Sequence, residues 1–131
     1  MAEHPNAAIY REVHENIQKG NFQRVIDALD DNVVWHQLGA DTLYGKEAVA
    51  ASMSGMEELG ADAFTIEVHD VVGNDEHVIG LVEATVNIGG EPFTYRTAEI
   101  AHMNDGKVTE RWAFSDDTQR IIDFFAGMGE Q

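Results

Sequence analysis

Apolar residues recur at every fourth position near the start of the chain: Ile9, Val13 and Ile17, with Tyr10 beside them. That spacing predicts a helix over residues 6–19 with one buried stripe, begun near Pro5 and stopped at Gly20. Asn21 suits the N-cap of a second short helix, in which Phe22, Val25, Ile26 and Leu29 share a face and Asp30-Asp31-Asn32 ends the element. A short strand is expected over residues 33–38, followed by a loop with Gly39 and Asp41. Tyr44-Gly45 then leads to a third helix near residues 46–56, with Val49, Met53 and Met56 as its inward side.

Beyond that point the period changes from four to two. Phe64, Ile66 and Val68 alternate with Thr65, Glu67 and His69, the mark of a half-buried strand. Gly73-Asn74-Asp75-Glu76 reads as a turn and residues 77–88 as a long strand. Gly89-Gly90 is a hairpin signal, residues 93–103 form the next strand, Asn104-Asp105-Gly106-Lys107 the next turn, and residues 108–115 the last strand. Ile121, Ile122, Phe124 and Phe125 suggest a closing helix. Helices followed by an antiparallel meander indicate an α+β fold with the helices on one face of a curved sheet. The other face still carries Val, Ile and Ala, so a homodimer covering it is expected.

A length of 131 residues fits a single domain spanning 1–131 and buries roughly two-thirds of the extended chain's surface, enough for a core without disulfides. The absence of Cys excludes a disulfide framework, thiolate metal sites and a cysteine nucleophile. The opening MAEHPNAAIY has no basic, apolar, cleavable leader, and no apolar run approaches the ~18 residues of a membrane span, so a cytoplasmic protein without membrane contact is expected. Lys plus Arg number 8 against 24 Asp plus Glu, a formal charge of −16, which argues against a nucleic-acid partner. A salt-rich cytoplasm would account for that bias; an ordinary acidic protein is the competing reading.

The run GNFQRVIDALDDNVVWHQLG, then LYGKEAV, then MNDGKVTERWAFSDD resembles the SnoaL-like, ketosteroid-isomerase-like branch of the NTF2-like superfamily. The resemblance implies a cone-shaped, cystatin-like domain with an apolar pocket between the concave sheet face and the N-terminal helices. It also implies proton chemistry at a strand carboxylate, assisted by a helix tyrosine and a protonated aspartate. Aligned in this way, His36 stands at the base position, Val13 at the tyrosine and Glu99 near the aspartate, so a steroid isomerase proper is not expected. Against the SnoaL-like cyclases, ERWAFSD offers Asp116 as an acid at the pocket mouth, although Ala113 stands where a neighbouring acid would follow the Trp.

Read as strand residues, His36 shares a face with Val34 and Leu38 and points inward, while Trp35 points outward. An imidazole beside an apolar pocket suits general acid–base work near neutral pH; the competing reading is a core histidine satisfied by one neighbour. Glu99 lies on a face with Phe93, Tyr95, Thr97, Ala101 and Met103, where desolvation should raise its pKa and Tyr95 would help line the pocket. A shifted register would instead turn Glu99 outward toward Arg96 or Arg111.

Trp112 and Phe114 serve either as pocket walls or as core. Tyr10 and His14 either swing into the pocket or sit on a solvated helix face. Tyr44 is expected to anchor the loop over the mouth, and Asp116 with Asp117 reads equally as a helix cap. His69, His77 and His102 lack metal-ligand spacing and His4 is placed in a frayed terminus, so neither a metal nor another cofactor is expected.

These residues suggest a cofactor-independent enzyme moving a proton on an apolar, cyclic or carbonyl-bearing small molecule. His36 would be its acid/base, with Glu99 as a protonated partner or as the group that orients the histidine; isomerisation, dehydration, cyclisation and epoxide opening all fit that pair. The alternatives are a non-catalytic dimeric binding module and a pocketless domain adapted to salt.

Overall fold

Turn-forming residues cut the chain where its hydrophobic period changes, and the elements follow those cuts. The computed structural model describes residues 3–59, 61–88 and 90–129. Helix α1 spans Pro5–Gln18, α2 Phe22–Asp27, α3 Lys46–Leu59 and α4 Thr118–Gly129. Strand β1 spans Leu29–Trp35, β2 Leu43–Tyr44, β3 Phe64–Gly73, β4 His77–Ile88, β5 Glu91–Asn104 and β6 Lys107–Phe114. They form one sheet in the order β2-β1-β6-β5-β4-β3. Only the β1–β6 pair is parallel.

Local chemistry explains the ends of these elements. His4 is not frayed: its Nδ1 accepts the Asn6 amide at 3.1 Å, its Nε2 meets Asp75 at 2.9 Å, and Asn6 Nδ2 donates to the Asn74 carbonyl. The start of α1 is thereby tied to the turn between β3 and β4. Asp105 and Gly106, with φ of 50° and 75°, supply the left-handed pair that a two-residue hairpin needs between β5 and β6. Gly89 lies outside the described residues, but its flanking strands pair at Ile88 with Glu91. At α4 the Arg120 amide donates to Asp117 Oδ1 at 3.1 Å, so Asp117 rather than Asp116 supplies the cap.

The helices cover one face of the sheet. Ala7 and Tyr10 of α1 pack on Val71, Val78, Val82, Ala101 and Met103. Farther along α1, Val13 and Ile17 join a second cluster formed by Val25, Leu29, Val33, Val49 and Met53. The side chain of Met56, expected inward with Val49 and Met53, lies outside the described residues. The opposite, outer face leaves Ile79, Leu81 and Phe114 at 40%, 42% and 55% exposure.

Two expectations change at β1. The strand begins at Leu29, which the sequence pattern assigned to the second helix, because Leu29 pairs with Val108 of β6. An irregularity between Leu29 and Val34 then sets the phase, so Val33 is fully buried and Trp35 pairs with Arg111 on the inner face. His36 consequently turns outward. The sheet also has two edges unlike those of a four-stranded meander. One is the two-residue β2; at the other, the Gln18 amide donates to the Phe64 carbonyl at 3.0 Å and accepts the Ile66 amide at 2.6 Å, filling a rung of β3.

Candidate functional site

Alternation along β5 puts Glu99 on the inner face, among apolar neighbours, with its side chain only 13% exposed. Across the ladder it faces Gly80 of β4 and Ala113 of β6, two residues too small to cover it. Tyr10 lies over Gly80, where a Cβ would overlap its ring, and thereby reaches the carboxylate. Tyr10 Oη donates to Glu99 Oε1 at 2.5 Å, and His14 Nε2 donates to the same oxygen at 2.9 Å. The two rings, one helical turn apart, stack with centroids 4.2 Å apart.

The other carboxylate oxygen, Oε2, accepts from the Arg111 guanidinium at 2.5 Å. Arg111 is itself fixed, donating to the His36 carbonyl at 3.1 Å and lying 4.5 Å from the centroid of the Trp35 ring. Sequence reasoning considered Arg111 only as an outward partner of Glu99. The signal was available, because alternation around an outward Trp112 turns Arg111 inward, but it required the phase of β6.

Burial pushes the Glu99 carboxyl up, yet the positive charges of Arg111 and His14 and the hydrogen bonds from His14 and Tyr10 more than reverse this. Glu99 is therefore held ionised, well below the usual carboxylate range, rather than protonated as its apolar face suggested. Desolvation raises the Tyr10 phenol, and the negative charge of Glu99 raises it further. Tyr95 on the same face is raised by burial and then by Glu99. His14 Nδ1 faces the Tyr10 carbonyl at 3.1 Å while Nε2 faces Glu99. Both partners are hydrogen-bond acceptors, so His14 bridges the helix backbone and the carboxylate.

The remaining candidates lie elsewhere. The His36 ring is on the outer face, with Nε2 2.8 Å from Glu110, Nδ1 3.1 Å from Thr42 Oγ1, and its plane stacked on Trp112. It therefore makes no pair with Glu99, since strand alternation puts the two side chains on opposite sides of the sheet. Trp112 and Phe114 also face outward and do not wall the space over Glu99. Tyr44 pairs with the outward Val34 and is 73% exposed, not an anchor over a mouth. Asp116 accepts from the Ser115 hydroxyl and borders an outer-face groove of about 650 Å³ with Leu81, Ala98 and Phe114.

A groove of about 400 Å³ between α1 and β3 is lined in part by His14, so the inner cluster borders a solvent-facing depression. Among the described residues, no three His, Asp or Glu side chains are arranged to hold a metal ion, and no helix is long and apolar enough to cross a membrane.

Comparison with known proteins agrees with this architecture. Bal32a, from a soil-derived mobile gene cassette, is 22% identical, with 91% of this chain and 95% of that one covered at a TM-score of 0.81. A Xanthomonas campestris protein of unknown function with a cystatin-like fold is also 22% identical, over 91% and 96%, at 0.79. An M. tuberculosis LEH-like epoxide hydrolase is 19% identical, over 93% and 87%, at 0.74. At these identities the likeness establishes the NTF2-like, cystatin-like fold. No curated protein matches. The SnoaL-like domain family matches residues 10–111, most of the chain, and the protein belongs to that family.

Proposed function

We propose that the protein is a cofactor-independent enzyme that moves a proton on an apolar, cyclic or carbonyl-bearing small molecule, using Tyr10, His14, Glu99 and Arg111. One observation carries this reading: an ionised carboxylate gathers three donors on an otherwise apolar face. Burying so many ionisable groups is a poor way to stabilise a core, and such clusters concentrate at reactive sites. The acid/base role expected of His36 passes to His14, which borders the groove beside α1. A substrate oxygen arriving there takes the place of the Tyr10 carbonyl at His14 Nδ1 and receives the proton carried there. Arg111 keeps Glu99 anionic, so the proton moves between His14 and substrate instead of settling on the carboxylate.

Turnover across a panel of cyclic enones, epoxides and enolisable ketones tests the proposal, with His14→Gln and Glu99→Gln compared at matched thermal stability. Loss of turnover in folded His14→Gln supports it, and undiminished turnover refutes it.

A second reading, a dimeric binding module without catalysis, is favoured by the outer face. Ile79, Leu81 and Phe114 form an apolar strip there that a second copy of the chain would cover. In that reading the panel is inert and the protein is a dimer in solution.

A further inference from the structure

Three side chains on the outer face are joined by hydrogen bonds that the chemistry at Glu99 does not use. The Thr42 hydroxyl lies 3.1 Å from His36 Nδ1, and His36 Nε2 lies 2.8 Å from the Glu110 carboxylate. Hydroxyl, imidazole and carboxylate in that order are the parts of an activated nucleophile.

Strand pairing builds this triad. Leu43 pairs with Trp35, which sets Thr42 beside His36 although the two are six positions apart. The connecting loop is pinned from several sides. The Gln37 amide donates to the Asp41 carbonyl at 2.8 Å, the Arg111 guanidinium donates to the His36 carbonyl at 3.1 Å, and Ile122 of α4 fills the space that a Cβ on Gly39 would need. The Trp112 indole stacks on the imidazole with centroids 5.1 Å apart. The ring is therefore held in place before any ligand arrives, the condition under which a base acts on a neighbouring hydroxyl. His36 and Glu110 are 32% and 33% exposed and Thr42 is half-buried, so the triad opens to solvent.

The same hydrogen bonds set the direction of proton movement. A carboxylate only accepts, so in the neutral ring the hydrogen sits on Nε2 and Nδ1 offers its lone pair to the Thr42 hydroxyl. We propose that Thr42 is an acyl-accepting nucleophile, with His36 as its base and Glu110 as the residue that positions the histidine, acting on activated esters or thioesters of apolar acids. Thr42 Oγ1 bonds to the acyl carbon as its proton passes to His36 Nδ1. The bond to the leaving oxygen or sulfur then breaks, and that atom takes the proton from Nδ1. Water repeats the sequence on the threonine ester, releasing the acid and restoring the hydroxyl.

The surface beside the triad names the acyl group. Trp112 pairs with Ile100 and Ile100 with Ile79, so an apolar row runs across the sheet from His36, along which an acyl chain can lie. The triad itself supplies one base and one proton, which suits a leaving group that departs readily.

Mixing the full chain with para-nitrophenyl butyrate tests this, the released nitrophenol being followed by absorbance and the adduct located by mass spectrometry of acid-quenched peptides. The expected result is a butyryl group on Thr42. His36→Gln should slow acylation about 100-fold or more. Glu110→Gln should slow it at least about tenfold at an unchanged half-saturating ester concentration, a split that a merely structural role would not produce. Thr42→Ser should still take the acyl group at that position and Thr42→Val should not, each compared at matched thermal stability. No reaction, ester consumption that Thr42→Val leaves unchanged, butyryl groups confined to lysines, or acylation of Thr42 unslowed in folded His36→Gln overturns the proposal.

Discussion

The phenol of Tyr10 occupies the space that a side chain at Gly80 would need, and this is what lets α1 reach Glu99 across β4. Gly80→Ala is therefore expected to displace the ring and to destabilise the protein by about 1–3 kcal/mol, as overpacking does. Urea unfolding measures it; an unchanged midpoint would mean that the ring is not held there.

Glu99→Gln leaves the Arg111 charge largely buried with its partner neutralised. The expected loss is about 3–5 kcal/mol. Because the folded state holds Glu99 below its ordinary value of 4.5, its contribution is present above that pH and is lost as pH falls below it toward the folded value. Urea midpoints taken from about pH 5 downward should fall more steeply in the wild type than in Glu99→Gln. Parallel slopes would show that other carboxylates govern acid unfolding.

Tyr10 is shifted the opposite way. Its folded-state pKa lies above the ordinary 10.0, so its stabilising effect is intact below that value and lost as pH rises through it. Tyr10→Phe should unfold less steeply on the alkaline side than the wild type, as followed by circular dichroism. Equal alkaline slopes would count against a buried, carboxylate-bound phenol.

A charge of −16 predicts that salt stabilises the fold by screening self-repulsion. The melting temperature should rise from low to molar KCl. A flat response would reject both the screening and the idea of adaptation to a salty interior.

Much of the scaffold could be read from the chain because its signals were local. Asn104-Asp105-Gly106-Lys107 dictates its own turn, and alternation around Glu99 needs no knowledge of distant strands. His36 shows where this ends. Its side depends on the parallel register of β1 against β6 and on the irregularity after Leu29, neither of which leaves a mark in neighbouring residues. A one-residue change of phase exchanged Trp35 with His36 and moved the latter to the opposite face. Tyr10 was hidden differently: its helical position was plain, but its burial depends on Gly80, seventy residues away in the chain.

Gln18 has a consequence for self-assembly. By filling a rung on the free edge of β3, its amide stands in for a neighbouring strand, and it sits at the last residue of α1. Helix ends fray far more readily than sheets dissolve. Each fraying event uncovers a template for strand addition without unfolding the domain. Nucleation of aggregates should therefore follow the breathing of one helical turn, and a protein that melts at the same temperature could still differ greatly in shelf life.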